Sequence, residues 1–180
     1  MNIIIGIGIL LGIFLIIAAL VPKNVEISST IEINKPVSEV FDFVVNLKNQ
    51  ENYSVWVMAD PNMKPIYSGN VGEIGFSSSW KSDVKNVGEG SQEITALEKD
   101  KFYEVELRFI KPFKATNRAR TITETLGDNR TLVNTIFYAR NPFPMSIMNL
   151  FVKNILLKDM NKNAAGLKSL LEGHKSQTNP

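Results

Sequence analysis

The chain has 180 residues with 20 Lys and Arg against 18 Asp and Glu, and every one of these charges follows position 21. The remainder, about 160 residues at a net charge of +2, has the size of one domain with one core and is too evenly balanced to mark a nucleic-acid partner. No cysteine is present, which excludes disulfides, thiolate nucleophiles and cysteine metal sites, and the lone His174 cannot build a multi-histidine centre, so no metal or other cofactor is implied.

Residues 3–21 form an unbroken run of 19 apolar or glycine residues. As a helix this run rises about 28 Å, close to the thickness of a bilayer's hydrocarbon core. A cleavable leader would show a basic start, a shorter apolar stretch and a small-x-small cleavage site. Here the segment opens Met1-Asn2-Ile3 and ends Ala18-Ala19-Leu20-Val21-Pro22-Lys23, so its length favours an uncleaved, single-pass anchor over residues 1–22. Lys23 and Lys35 follow the run and no basic residue precedes it, which by the positive-inside rule puts the domain on the cytoplasmic side. Gly8 and Gly12 give one Gly-x-x-x-Gly spacing, through which two such helices can approach as a weak homodimer.

From Val25 to Asn34 apolar and polar residues alternate, as in a strand with one buried face. Asn34-Lys35-Pro36 then signals a helix start, and Val37, Val40, Phe41, Val44 and Val45 recur at helical spacing. A second short helix is expected from Leu47 to Tyr53, followed by a turn at Ala59-Asp60-Pro61-Asn62. Period-two patterns cut by turn residues predict six further strands at 64–68, 74–82, 90–98, 101–110, 115–126 and 130–140, joined as an antiparallel meander. After Asn141-Pro142-Phe143-Pro144 the helical period returns in a wide stripe from Met148 to Leu170, the one element long enough to cover the sheet. Gly173 is the expected stop, and residues 174–180 the expected flexible tail.

This order, together with Ile33-Asn34-Lys35-Pro36-Val37-Ser38-Glu39-Val40-Phe41, Val71-Gly72-Glu73-Ile74-Gly75 before a strand bearing Trp80, Gly88-Glu89-Gly90, and Phe109-Ile110-Lys111-Pro112-Phe113, resembles the START-like (SRPBCC) superfamily. Thr131-Leu132-Val133 and the stretch Asn163-Ala164-Ala165-Gly166-Leu167-Lys168-Ser169-Leu170 carry the likeness into the final helix, over residues 25–172, specifically to the polyketide cyclase/dehydrase-like branch. The resemblance implies an α+β helix-grip domain over residues 23–173, a curved seven-stranded antiparallel sheet wrapped around the long C-terminal helix. It also implies an internal cavity for an apolar molecule or lipid.

If that space is hollow, the alternation nominates its lining as Phe76, Ser78 and Trp80, then Tyr103, Val105, Leu107 and Phe109, then Val133, Thr135 and Phe137. Met148, Phe151, Val152 and Ile155 would close it from the helix, and Trp56, just after Tyr53, would stand at a mouth or lid. Arg118 and Arg120, like Glu104, Glu106 and Arg108, alternate onto the opposite, solvated face, and Lys153, Lys158, Lys162 and Lys168 mark a basic side of the last helix. Three functions fit: a membrane-anchored module binding a hydrophobic small molecule or lipid, a cyclase or dehydratase, and a ligand-free interaction or stress-related factor. With no histidine in the domain, an enzyme would depend on Asp, Glu or Tyr tuned by burial, and no carboxylate is placed within an apolar stretch for that.

Overall fold

The computed structural model describes residues 2–173, so His174 and the stretch expected as a tail lie outside the described residues. Helix α1 (Asn2–Leu20) is followed at once by strand β1 (Asn24–Ile33), and α2 (Val37–Val45) starts directly after Pro36. Leu47–Asn52, expected as a second helix, is a 3-10 turn opened by the Asn46 side chain, which accepts a hydrogen bond from the Lys48 amide. One further turn of helix, α3 (Val55–Met58), carries Trp56.

Strands β2 (Ile66–Ser68), β3 (Ser77–Lys81), β4 (Glu89–Glu98), β5 (Phe102–Lys111), β6 (Ala115–Thr125) and β7 (Thr131–Arg140) complete one antiparallel sheet in the order β1-β7-β6-β5-β4-β3-β2. Strand β3 begins three residues later than the alternation predicts, because Gly72 and Gly75 hold positive φ angles of 75° and 90° and keep the chain turning. Register shifts at Glu89/Gly90 and Ile94/Ala96 mark bulges between β4 and β5, the usual device for bending a sheet. After a 3-10 turn at Met145–Met148, helix α4 (Asn149–Leu171) lies along β1. It is tied there by Ser29 Oγ donating to Asn161 Oδ1 (2.7 Å), Lys168 Nζ to the Glu32 carbonyl (2.7 Å), and the Asn34 amide to Glu172 Oε1 (2.7 Å).

The core joins α2 to the sheet through Ile33, Val40, Phe41, Val44, Leu47, Phe76 and Ile94, all nearly or fully buried. The register gives the sheet two ends. Asn24 pairs with Arg140, Glu89 with Lys111 and Phe109 with Ala115, so the start of β1, the end of β7 and the β5–β6 connection share one end, which we call the base. At the base α1 is fastened to the domain: Ser146 Oγ donates to the Ala18 carbonyl (2.7 Å), Asn149 Nδ2 to the Pro22 carbonyl (2.8 Å) and the Asn141 amide to the Lys23 carbonyl (2.8 Å). The helix is otherwise exposed, and Ile3–Leu20 is long and apolar enough to cross a bilayer, with a mean hydropathy of 3.1.

Candidate ligand cavity

Between the inner face of β1, β7, β6 and β5 and the C-terminal half of α4 lies a part-open cavity of about 160 Å³. Its apolar wall is Ile31, Val44, Val105, Val133 and Phe137, with Met160 and Leu167 from the helix. Polar groups interrupt that wall at in-phase strand positions: Ser29 on β1, Gln92 on β4, Thr121 on β6 and Thr135 on β7. Because side chains alternate along a strand, these groups point inward with their apolar neighbours.

The polar groups are mostly held by one another. Buried Gln92 donates from Nε2 to Gln50 Oε1 (2.7 Å) and to Ser78 Oγ (3.0 Å), which joins β3, β4 and the 3-10 turn. Thr121 and Thr135 share a hydroxyl hydrogen bond of 3.2 Å. Asn163 Oδ1 accepts the Val55 amide at 2.8 Å, fastening the first turn of α3 to α4. Gly166 allows that approach, since a Cβ there would stand 3.3 Å from the Tyr53 carbonyl oxygen. Trp56, half-buried on α3, thus stands at the cavity's edge between sheet and helix.

Tyr53 and Tyr103 both reach the cavity. Burial pushes the Tyr53 phenol well above its ordinary range, and nearby Tyr103 pushes the same way. Burial raises Tyr103 as well, against the opposing effect of its hydrogen bond to Thr121. At neutral pH both rings therefore present O–H groups, which donate or accept hydrogen bonds and carry no charge. No Asp, Glu, Lys, Arg or His stands among the described lining residues.

Of the residues nominated from sequence, Trp56, Tyr103, Val105, Val133, Thr135 and Phe137 stand at the cavity. Others lie elsewhere. Phe76 is fully buried and stacks on Tyr67, with ring centroids 6.2 Å apart. Trp80 packs edge-on against Phe109 at 6.1 Å and donates Nε1–H to the Val87 carbonyl, and Leu107 packs against the core. Ser78 is buried and accepts a hydrogen bond from Gln92 Nε2.

The largest correction concerns α4. Met148, Phe151, Val152 and Ile155 are all exposed, and Met160, Asn163, Ala164 and Leu167 face the void instead. Successive helical residues turn by about 100°, so the sheet-facing line through Asn149, Leu156 and Met160 leaves Phe151 and Ile155 on another side. The missed residues carried one signal in the sequence, namely polar side chains in phase with apolar ones at Ser29, Gln92 and Thr121. On the outer face Arg118 is exposed and pairs with Glu104 at 3.6 Å. Arg120, expected to be solvated, is half-buried with its guanidinium 3.8 Å from the Phe102 ring centroid.

Compared by sequence, the chain matches no family model and no curated protein. Solved structures share its fold. Norcoclaurine synthase from Thalictrum flavum, in complex with dopamine and hydroxybenzaldehyde, superposes with a TM-score of 0.63 at 12% identity, over 90% of this chain and 94% of that one. Ara h 8.0201 does so with a TM-score of 0.58 at 12% identity, over 83% and 99%. CalU16 from Micromonospora echinospora gives 0.56 at 12% identity, over 84% and 77%. The fold is Bet v1-like. At such identity the likeness concerns the fold alone; the void described above lies between sheet and C-terminal helix.

Proposed function

We propose that the chain is a membrane-anchored binding module, residues 1–22 forming the anchor and residues 23–173 a domain that holds a small, largely apolar molecule with one or two polar groups. The observation that carries this reading is the cavity of about 160 Å³, walled by aliphatic and aromatic groups and studded with Gln92, Thr121 and two neutral phenols. A void of about 150 Å³ is enough for benzene, whereas drug-sized pockets run to roughly 300–1,000 Å³. A molecule with one ring, or the end of a longer chain, is therefore the fitting guest, and a whole lipid is not. Dopamine and hydroxybenzaldehyde, held by the Thalictrum flavum enzyme of the same fold, belong to that one-ring class.

The cyclase or dehydratase alternative needs a group that takes up or releases a proton near neutral pH. The titratable groups lining the void are phenols kept protonated by burial, which favours binding over acid–base chemistry. Retention of α1 as an anchor draws support from the Ser146 hydrogen bond to the Ala18 carbonyl, a contact within the helix that a cleaved leader would forfeit.

Native mass spectrometry of the detergent-purified full chain tests the reading. A co-purifying molecule of one-ring size is expected. A chain that emerges empty and shows no thermal shift with phenol or similar one-ring probes is not a binding module of this kind.

A further inference from the structure

The first half of α4 and the turn before it are apolar where no protein covers them. Phe151 is 69% exposed, Ile155 63% and Phe113, at the β5–β6 connection, 61%, and Phe143, Met145 and Met148 are exposed as well. Spacings of three and four residues put Met148, Phe151 and Ile155 on one side of the helix. All six residues belong to the base of the sheet or to the elements fastened there. Scattered apolar side chains on a surface are ordinary, but this many large ones gathered at one end mark a contact.

The fastening of α1 decides what makes that contact. Ser146, inside the Met145–Met148 turn, hydrogen-bonds to Ala18, which lies about 3 Å below Leu20 along the helix axis at 1.5 Å per residue. A helix that spans a bilayer holds its last turn at the boundary between acyl chains and headgroups. The Met145–Met148 turn then sits at that depth too, with its exposed methionines turned to lipid. The charges agree. Lys23, Lys114, Arg140 and Lys153 are exposed around the same end, and Lys111 beside them pairs with Glu89. Two exposed carboxylates stand nearby, Glu26 on β1 and Asp83 on the loop after β3, fewer than the basic groups. The opposite end mixes both signs, Glu98 with Lys101 and Asp128 beside Arg130.

We infer that the base of the domain is a second membrane contact, in which the Phe143–Met148 turn, the Phe151/Ile155 side of α4 and the Phe113 connection sit in the lipid interface beside the anchor. The inference rests on the anchor reading of α1 and adds an orientation to it. The domain does not swing freely on its tether: its base is seated in the headgroup layer, the depth reached by interfacial helices, and basic side chains meet anionic lipid there.

The absence of cysteine makes the test direct. Phe151→Cys, Phe113→Cys, Asp128→Cys and Ile9→Cys variants of the full chain are each nitroxide-labelled and reconstituted into vesicles of phosphatidylcholine and phosphatidylglycerol. Oxygen and nickel accessibilities then report depth. Labels at positions 151 and 113 are expected to show an oxygen-to-nickel ratio several-fold above that at 128, with position 9 deeper still. Position 9 deep with positions 151 and 113 as wet as 128 overturns the second contact while leaving the anchor intact. Position 9 in water removes the anchor, and with it the surface that depends on it.

Discussion

Ala119 offers the sharpest test of the cavity. It lies on β6 between Val105 of β5 and Phe137 of β7, with its methyl group at the cavity wall. An unfilled apolar space costs about 24 cal/mol per Å³, so 160 Å³ corresponds to about 4 kcal/mol, and a one-ring molecule recovering that amount binds with a Kd of about 1 mM. A hydrogen bond from its polar group to Gln92 or to a tyrosine hydroxyl adds about 1 kcal/mol, which brings phenol to roughly 0.2 mM. At ten times that concentration the folded state gains about 1.4 kcal/mol, or roughly 3–6 °C in Tm for a domain of this size. Ala119→Leu places three more carbons in the same space, worth up to about 2 kcal/mol of burial. In differential scanning fluorimetry the variant is expected to melt at or above the unaltered chain's Tm and to show no phenol shift. If Ala119→Leu instead loses the roughly 1–3 kcal/mol typical of an overfilled core, the space is already occupied by side chains and the binding proposal falls.

Three further outcomes follow from particular contacts. Gln92→Ala leaves Gln50 and Ser78 without their shared donor and is expected to cost about 1–3 kcal/mol in urea unfolding; an unchanged midpoint would show that water replaces the amide freely. Gly90→Ala would put a Cβ 2.7 Å from the Arg108 carbonyl oxygen and 2.8 Å from the Trp80 ring, so a loss of roughly 1–3 kcal/mol with reduced Trp80 fluorescence anisotropy is expected, and a neutral result contradicts the close approach. For pH, Tyr53 and Tyr103 are raised in the folded chain above the ordinary 10.0, so between the two values the folded state binds more protons than the unfolded one. Stability from these groups is therefore fully present below pH 10 and declines above it. Tyr103→Phe should flatten that alkaline decline in pH-dependent urea titrations, and an equally steep slope in the variant would place its cause elsewhere.

What could be read from sequence, and what could not, follows from the range of each physical signal. Strand β1 was legible because a one-residue slip would expose Ile27 and Ile33, so alternation alone determines its face. The β5, β6 and β7 boundaries came within two residues for the same reason, with turn residues at Gly127 and Asp128 as punctuation. Helix α4 was legible as a helix and not as a wall. Its apolar stripe from Met148 to Leu170 is wider than the one face a sheet can cover, and periodicity reports which residues are apolar without reporting what covers them. Protein covers Met160 and Leu167, whereas Phe151 and Ile155 stay bare on a domain whose base is fastened to α1 two residues from that helix's end. An apolar surplus on a soluble helix would ordinarily be a liability. In the proposed arrangement lipid covers this surplus, so the residues expected as cavity wall become the ones that orient the domain.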